Sequence, residues 1–84
     1  MASLTVHVLD AKQRPLSGKR VFCEYPGFFL GIIGSSQEGC TDSSGSARFT
    51  DVPSGRVRIH VDGKPRLEVL IASYERKDVT ITIT

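Results

Sequence analysis

The chain has 84 residues, of which 39% are hydrophobic and 24% charged, with a formal net charge of +2 at pH 7. This length predicts one domain, 1–84, and this composition is typical of a folded protein. The small, mixed charge does not favour nucleic acid as a partner, and no apolar run is long enough to form a transmembrane segment. Strand patterning begins directly after Ser3, so we expect no signal peptide, and a location either in the cytoplasm or within a larger exported protein.

Strand patterns separated by turn residues follow one another along the whole chain. They are clearest at 4–9, 56–61 and 79–84, where apolar and polar residues alternate and each strand would bury one face. Asp, Gly, Pro and Ser mark the turns, and the pair Asp62-Gly63 is a strong hairpin signal. Six to seven short strands of this kind predict an all-β fold, a small antiparallel β-sandwich. The predicted strands are 4–9, 21–25, 39–41, 46–50, 56–61, 67–71 and 79–84, with 35–38 and 72–78 as polar loops.

One ordered set of residues extends over most of the chain. It consists of Leu4-Thr5-Val6-His7-Val8, Asp10, Pro15-Leu16-Ser17-Gly18, Val21, Thr41-Asp42, Gly45, Ala47, Phe49, Pro53, Gly55, Val57, Ile59 and Val61. This set resembles the carboxypeptidase regulatory-like domains, which are transthyretin-like (prealbumin-like) β-sandwiches with Greek-key topology. The resemblance implies a seven-stranded scaffold that spaces, stabilises or binds, and it does not cover 27–36. The Tyr-Arg-Gly-Ser ending of the enzymatic transthyretin-like branch is absent, so the resemblance implies no activity.

Few residues are candidates for chemistry. The histidines, His7 and His60, fall at outward strand positions and are expected to be solvated, and no Cys-x-x-Cys or His-x-His spacing suggests a zinc site. No serine stands in the Gly-x-Ser-x-Gly pattern of hydrolase nucleophiles. Asp42, Asp51 and Asp62 are interpreted as turn-capping residues rather than calcium ligands. The sequence therefore predicts no enzymatic activity, no catalytic or metal-binding residues and no cofactor.

The two cysteines, Cys23 and Cys40, have two interpretations. Both can be free thiols that are buried as small hydrophobic side chains. Alternatively, they pair in a disulfide, as they would in an exported protein.

The apolar segment 28–33 breaks the alternation found elsewhere, because five of its six residues are large and apolar. If exposed, they would form a patch of the size that marks an interaction surface, and docking on a protein partner or self-association is the first interpretation. The segment can instead cover an open edge or end of the sandwich, or insert at a membrane interface. The candidate partner-binding residues are Phe28, Phe29, Leu30, Ile32 and Ile33.

Arg48, Arg56 and Arg58 form the second candidate site. If strands 46–50 and 56–61 made a hairpin, the three side chains would share one outward face, and Glu68 would reach Arg58 from the next strand. This face is either a solvated surface with weak ion pairs or an anion-binding patch. A second basic group, with the same two interpretations, consists of Lys12, Arg14, Lys19 and Arg20.

The sequence thus leads to two hypotheses about function. The first is a non-enzymatic structural or protein-interaction module that docks through 28–33. The alternative is a carbohydrate- or anion-binding module that uses the outward arginines.

Overall fold

A computed structural model describes residues 2–25 and 35–83. These residues form two β-sheets, one of three strands and one of four, so the predicted all-β sandwich is confirmed. The three-stranded sheet has the order β4-β1-β7, and the four-stranded sheet has the order β3-β2-β5-β6. The strands are β1 (Ala2–Asp10), β2 (Arg20–Tyr25), β3 (Ser35–Cys40), β4 (Ser46–Val52), β5 (Gly55–Val61), β6 (Lys64–Ile71) and β7 (Arg76–Ile83).

One strand pair is parallel within an otherwise antiparallel arrangement. β1 pairs with β7 in parallel register, with Val6 opposite Val79 and His7 opposite Thr80, whereas β1–β4, β2–β3, β2–β5 and β5–β6 are antiparallel. Alternation in a sequence indicates which face of a strand is buried but not in which direction the strand runs. The sequence therefore could not predict that β1 and β7 pair in parallel.

Every strand except β4 begins one or more residues earlier than predicted, and two of them, β3 and β7, extend into segments that were predicted as polar loops. Residues 35–38 were predicted as a polar loop, but they belong to β3, which pairs with β2 from Tyr25–Ser35 to Arg20–Cys40. β7 likewise begins at Arg76, within the predicted loop 72–78. Both strands lie at the edge of a sheet, where polar and charged residues are tolerated because one side of the strand faces solvent.

The predicted hairpin between 46–50 and 56–61 is wrong. β4 pairs with β1 in the three-stranded sheet, whereas β5 lies between β2 and β6 in the other sheet. The chain changes sheets between β4 and β5, where Asp51 and Gly55 both have positive φ, 55° and 119°. Such backbone angles reverse a chain sharply, and the Pro-Ser-Gly turn alone did not distinguish a hairpin from a crossing between sheets.

The core consists of the inward side chains of both sheets, which alternate with exposed ones along each strand. Leu4, Val6 and Val8 of β1 are completely buried, as are Val57, Ile59 and Val61 of β5, which confirms the predicted inward faces. Removing such side chains from water is the main favourable contribution to folding, about 25 cal/mol for each Å² of apolar surface. The buried apolar residues are Ala2, Leu4, Val6, Val8, Val21, Cys23, Tyr25, Ala47, Phe49, Val52, Val57, Ile59, Val61, Ile71, Val79 and Ile81.

The turn before β4 is held by Asp42, as its predicted capping role requires. Its Oδ1 accepts hydrogen bonds from the Ser44 hydroxyl (2.7 Å) and from the backbone N–H groups of Ser44 (2.9 Å) and Ser46 (3.1 Å). These bonds, led by that of the Ser44 hydroxyl, lower the pKa of Asp42. The Gly45 N–H donates to the Asp42 carbonyl at 2.9 Å and closes the turn.

Gly45 provides a direct test of this packing, because Gly18 is a matched control. Both have positive φ, 76° and 73°, so alanine is strained at either position by about 1–2 kcal/mol. A Cβ at Gly45 would also lie 2.8 Å from Pro15 Cβ and 2.9 Å from the Val8 carbonyl oxygen, whereas a Cβ at Gly18 would have no neighbour within 4 Å. We expect Gly45→Ala to lower the free energy of unfolding by about 1–3 kcal/mol more than Gly18→Ala. Urea denaturation measures both, and equal losses would contradict the close contact with Pro15.

Candidate functional site

The outward face of the four-stranded sheet carries polar and aromatic side chains beside a concave surface. The alternation that buries Val21, Cys23 and Tyr25 directs Phe22 and Glu24 outward. An open groove of about 740 Å³ crosses this face and the adjoining turns. Its lining residues are Gly18, Arg20, Phe22, Glu24, Glu38, Cys40, His60, Asp62 and Gly63.

An aromatic pair is among the residues that line the groove. Phe22 and His60 lie opposite each other in the β2–β5 register, with ring centroids 5.6 Å apart and planes inclined at 66°. This edge-to-face geometry is favourable for aromatic rings. The expectation of a solvated His60 is wrong, because its side chain is only 22% exposed and its Nε2 atom is shielded from solvent. That Nε2 lies 3.6 Å from Glu24 Oε1, too far for a hydrogen bond.

His7 lies on the other sheet and has a different environment. Its Nδ1 is hydrogen-bonded to the Ser46 hydroxyl at 2.9 Å, and its Nε2 is 3.6 Å from an Asp78 carboxylate oxygen. The side chain is 37% exposed, so it is partly solvated, as predicted, but fixed by Ser46 on β4. The two histidines are therefore on different sheets and do not form a common site.

Two glutamates separate the arginines on the outward face. Glu68 Oε2 is 3.0 Å from Arg58 Nε, which confirms the predicted contact, and its Oε1 is 3.5 Å from Arg56 Nε. Glu24 Oε1 lies 3.9 Å from Arg58 Nη1 on the opposite side of β5. Pairs this exposed contribute about 0–1 kcal/mol each to stability, so their main effect is to neutralise the face locally.

Arg48 does not join Arg56 and Arg58. It lies on β4, opposite Thr5 of β1 in the three-stranded sheet, so the predicted face of three arginines is not formed. The physical reason is the crossing of the chain between sheets after β4. Anion or carbohydrate binding by Arg56 and Arg58 stays a prediction, and the adjacent carboxylate of Glu68 would compete with any anion.

The second basic group is also paired with carboxylates in part. Arg14 Nε lies 3.1 Å from Asp10 Oδ2, and Lys19 Nζ lies 3.3 Å from Asp62 Oδ2. Asp62 also accepts a hydrogen bond from the Arg20 backbone N–H at 3.2 Å, and this bond is the main cause of its lowered pKa. These contacts fix the turns beside the groove.

The predicted partner-binding residues lie outside the described residues. Phe28, Phe29, Leu30, Ile32 and Ile33 all fall between β2 and β3. Tyr25 and Ser35, the described residues on either side of this segment, are paired across the two strands. Docking through 28–33 therefore stays a prediction.

The two thiols are free and differ in environment. Cys23 is completely buried, and burial raises its pKa to about 12, so the reactive thiolate is strongly disfavoured. Cys40 was expected to be buried in the free-thiol interpretation, but it is exposed at the end of β3. In the β2–β3 register, Cys23 lies opposite Gln37 and Cys40 opposite Arg20, so the alternative of a Cys23–Cys40 disulfide is not formed.

Two further features of the described ranges bear on function. Among residues 2–25 and 35–83, no three His, Cys, Asp or Glu side chains come together in a group that could hold a metal ion. Within the same ranges, no helix has the length and apolar character needed to cross a membrane.

The Phe22–His60 pair was not predicted, because strand alternation gives the face of each residue but not the register between strands. The outward face was predicted for His60, and no face was predicted for Phe22. Only the pairing of Val21 with Val61 sets Phe22 beside His60.

Comparison with solved structures shows the same fold in two larger bacterial proteins. The Bacillus anthracis TIE protein matches with a TM-score of 0.75 at 17% sequence identity, over 95% of this chain and 16% of that protein. BcpA, the major pilin subunit of Bacillus cereus, matches with a TM-score of 0.74 at 16% identity, over 98% of this chain and 29% of that subunit. No family model matches the chain, and no curated protein matches it.

At these identities the likeness shows a shared fold. The chain spans less than a third of the length of either protein, so the activities and partners of those proteins do not transfer to it directly. The β-sandwich expected from the sequence agrees with this architecture, whereas neither the carboxypeptidase regulatory-like nor the transthyretin-like assignment is supported by a family model.

The two thiols give a test of how the four-stranded sheet is arranged. We expect a thiol reagent to modify one cysteine per folded chain, Cys40, and both cysteines in denaturant, because Cys23 is inaccessible in the sandwich. Mass spectrometry of the labelled protein identifies the site. The Cys40→Ser variant is the control and should take up no label while folded. Labelling of Cys23 in the folded protein, or no labelling at all, would contradict the described positions.

Proposed function

We propose that this chain is a non-enzymatic structural or protein-interaction module. The observation that carries the proposal is the match of nearly the whole chain, 95–98%, to parts of much larger proteins, one of which is a major pilin subunit. A fold that recurs as a part of longer chains suits a spacing or docking unit. The continuous core supports such a role, since it favours a rigid body.

The proposed docking element is the apolar segment 28–33. It lies between β2 and β3 in the sequence, and β3 is an edge strand of the four-stranded sheet. Five large apolar residues in six positions exceed what a connection between paired strands requires. Apolar clusters of this size typically bind another protein surface. The occupant is a protein partner or a second copy of the chain.

A single substitution tests this role. We expect the wild-type chain to associate with increasing concentration, and Phe29→Asp to weaken that association at least about tenfold, because a carboxylate in an apolar contact must lose its hydration. Sedimentation velocity over a range of concentrations measures the effect. Thr80→Asp is a matched control, since it adds the same charge at an exposed position on the other sheet.

Two results would contradict docking through 28–33. One is a wild-type chain that stays monomeric at every concentration and captures no protein partner through Phe29. The other is association that Phe29→Asp and Thr80→Asp reduce equally, since this would indicate a general effect of charge. In both cases a thermal unfolding curve close to that of the wild type must show that the variants are folded.

A further inference from the structure

The exposed large apolar side chains of residues 2–25 and 35–83 belong to one strand and the turn that follows it. They are Leu67, Leu70 and Tyr74, which are 38%, 72% and 82% exposed and belong to β6 and the turn after it. β6 is an edge strand that pairs with β5 on one side. An edge strand with exposed leucines is a surface on which a further strand can pair.

This edge is open because the two sheets have different widths. Leu67 lies opposite Ile59 on the inward face, yet Ile59 is completely buried and Leu67 is not. The facing sheet has three strands against four and leaves part of β6 uncovered. At the opposite edge, by contrast, the Gln37 side chain on β3 donates a hydrogen bond to the Thr50 carbonyl of β4 at 2.9 Å and joins the sheets.

The backbone of β6 has groups available for pairing. The Asp62 N–H donates a hydrogen bond to the Arg20 carbonyl of β2. In the β2–β5 register, the even-numbered residues of β5, His60 and Arg58, therefore also direct their backbone hydrogen bonds towards β2. In an antiparallel sheet, alternate residues of a middle strand bond to its two neighbours in turn. Glu68 and Leu70, which lie opposite even-numbered residues of β5, therefore direct their N–H and C=O groups away from that strand.

We propose that β6 pairs antiparallel with β6 of a second copy, about a two-fold axis centred on Leu67. This register places Arg66 of each copy opposite Glu68 of the other. Glu68 already contacts Arg56 and Arg58 of its own chain, so each Arg66 joins an existing ion-pair cluster across the interface. The register also sets the two Leu67 side chains next to each other and covers them. This interface lies outside 28–33 and is independent of the proposed function.

Charge complementarity selects this register among its neighbours. The outward faces of the two copies stay on the same side only if one strand slides along the other by an even number of residues. A slide of two residues moves the two-fold axis by one residue. An axis at Arg66 would place that arginine opposite itself, and an axis at Glu68 would place two glutamates together. Like charges directly opposite each other destabilise a strand pair, whereas opposite charges stabilise it.

The first half of β6 restricts how far the pairing extends. The β5–β6 register shifts between Ile59 and His60, where Arg66 is the additional residue, and Pro65 has no N–H to donate. In the proposed register Pro65 faces Val69, and Val69 bonds towards β5, so this position requires no hydrogen bond between copies. The short paired length predicts a weak dimer whose population rises with concentration.

A pair of cysteine variants tests the register. In the Cys40→Ser background, Leu67→Cys places two thiols directly opposite each other, at a Cα separation of about 4.5 Å that suits a disulfide. Leu70→Cys is the control, because its two sulfurs would be about 20 Å apart along the strands. Position 70 is the more exposed, so random collisions would favour the control. We expect the Leu67→Cys protein to form disulfide-linked dimers at least about tenfold faster under mild oxidation.

A charge reversal separates the proposed register from simple proximity. Adding Arg66→Glu to the Leu67→Cys protein places like charges opposite each other and should slow cross-linking several-fold, whereas adding Phe29→Asp should leave the rate unchanged. Circular dichroism must show that every variant is folded. Cross-linking of Leu67→Cys no faster than that of Leu70→Cys, or insensitive to Arg66→Glu, would overturn the proposal, whatever the outcome for 28–33.

Discussion

The structure depends on β1, the middle strand of the three-stranded sheet. It is hydrogen-bonded on both sides, to β4 in antiparallel and to β7 in parallel orientation. Its inward side chains Leu4, Val6 and Val8 are completely buried. The strand thereby joins the first residues of the chain to the last strand and closes the sandwich over β2 and β5. A long-range pair of this kind forms only at a considerable cost in chain entropy, and the burial of its apolar face offsets that cost.

Much of the fold was predictable from alternation and turn residues. The inward faces of β1, β2, β4 and β5, the turn at Asp42 and the Arg58–Glu68 contact all follow from period-two patterns and short-range turn chemistry. The pairing partners were not predictable, because alternation is the same for a strand in either sheet and in either direction. The first part of β3 was not predicted for a related reason, because an edge strand needs few apolar residues.

The candidate site depended on that missing information. The prediction that Arg48 and Arg56 share a face depended on a hairpin between β4 and β5. The two strands belong to different sheets, so the two arginines are separated. The Phe22–His60 pair and the exposed side of β6 arise only from register and from the unequal widths of the sheets. Association stays a proposal for two parts of the chain, the segment 28–33 between β2 and β3 and the edge strand β6, while Arg56 and Arg58 are engaged with glutamates.

The topology of the sandwich brings β1 to β7 and separates β4 from β5. Nuclear Overhauser contacts between backbone protons in labelled protein are a direct measurement of this topology. We expect contacts of β1 with both neighbours, joining His7 to Thr80 in parallel register and Thr5 to Arg48 in antiparallel register. Cross-strand contacts between 46–50 and 56–61, with none between β1 and β7, would contradict this topology.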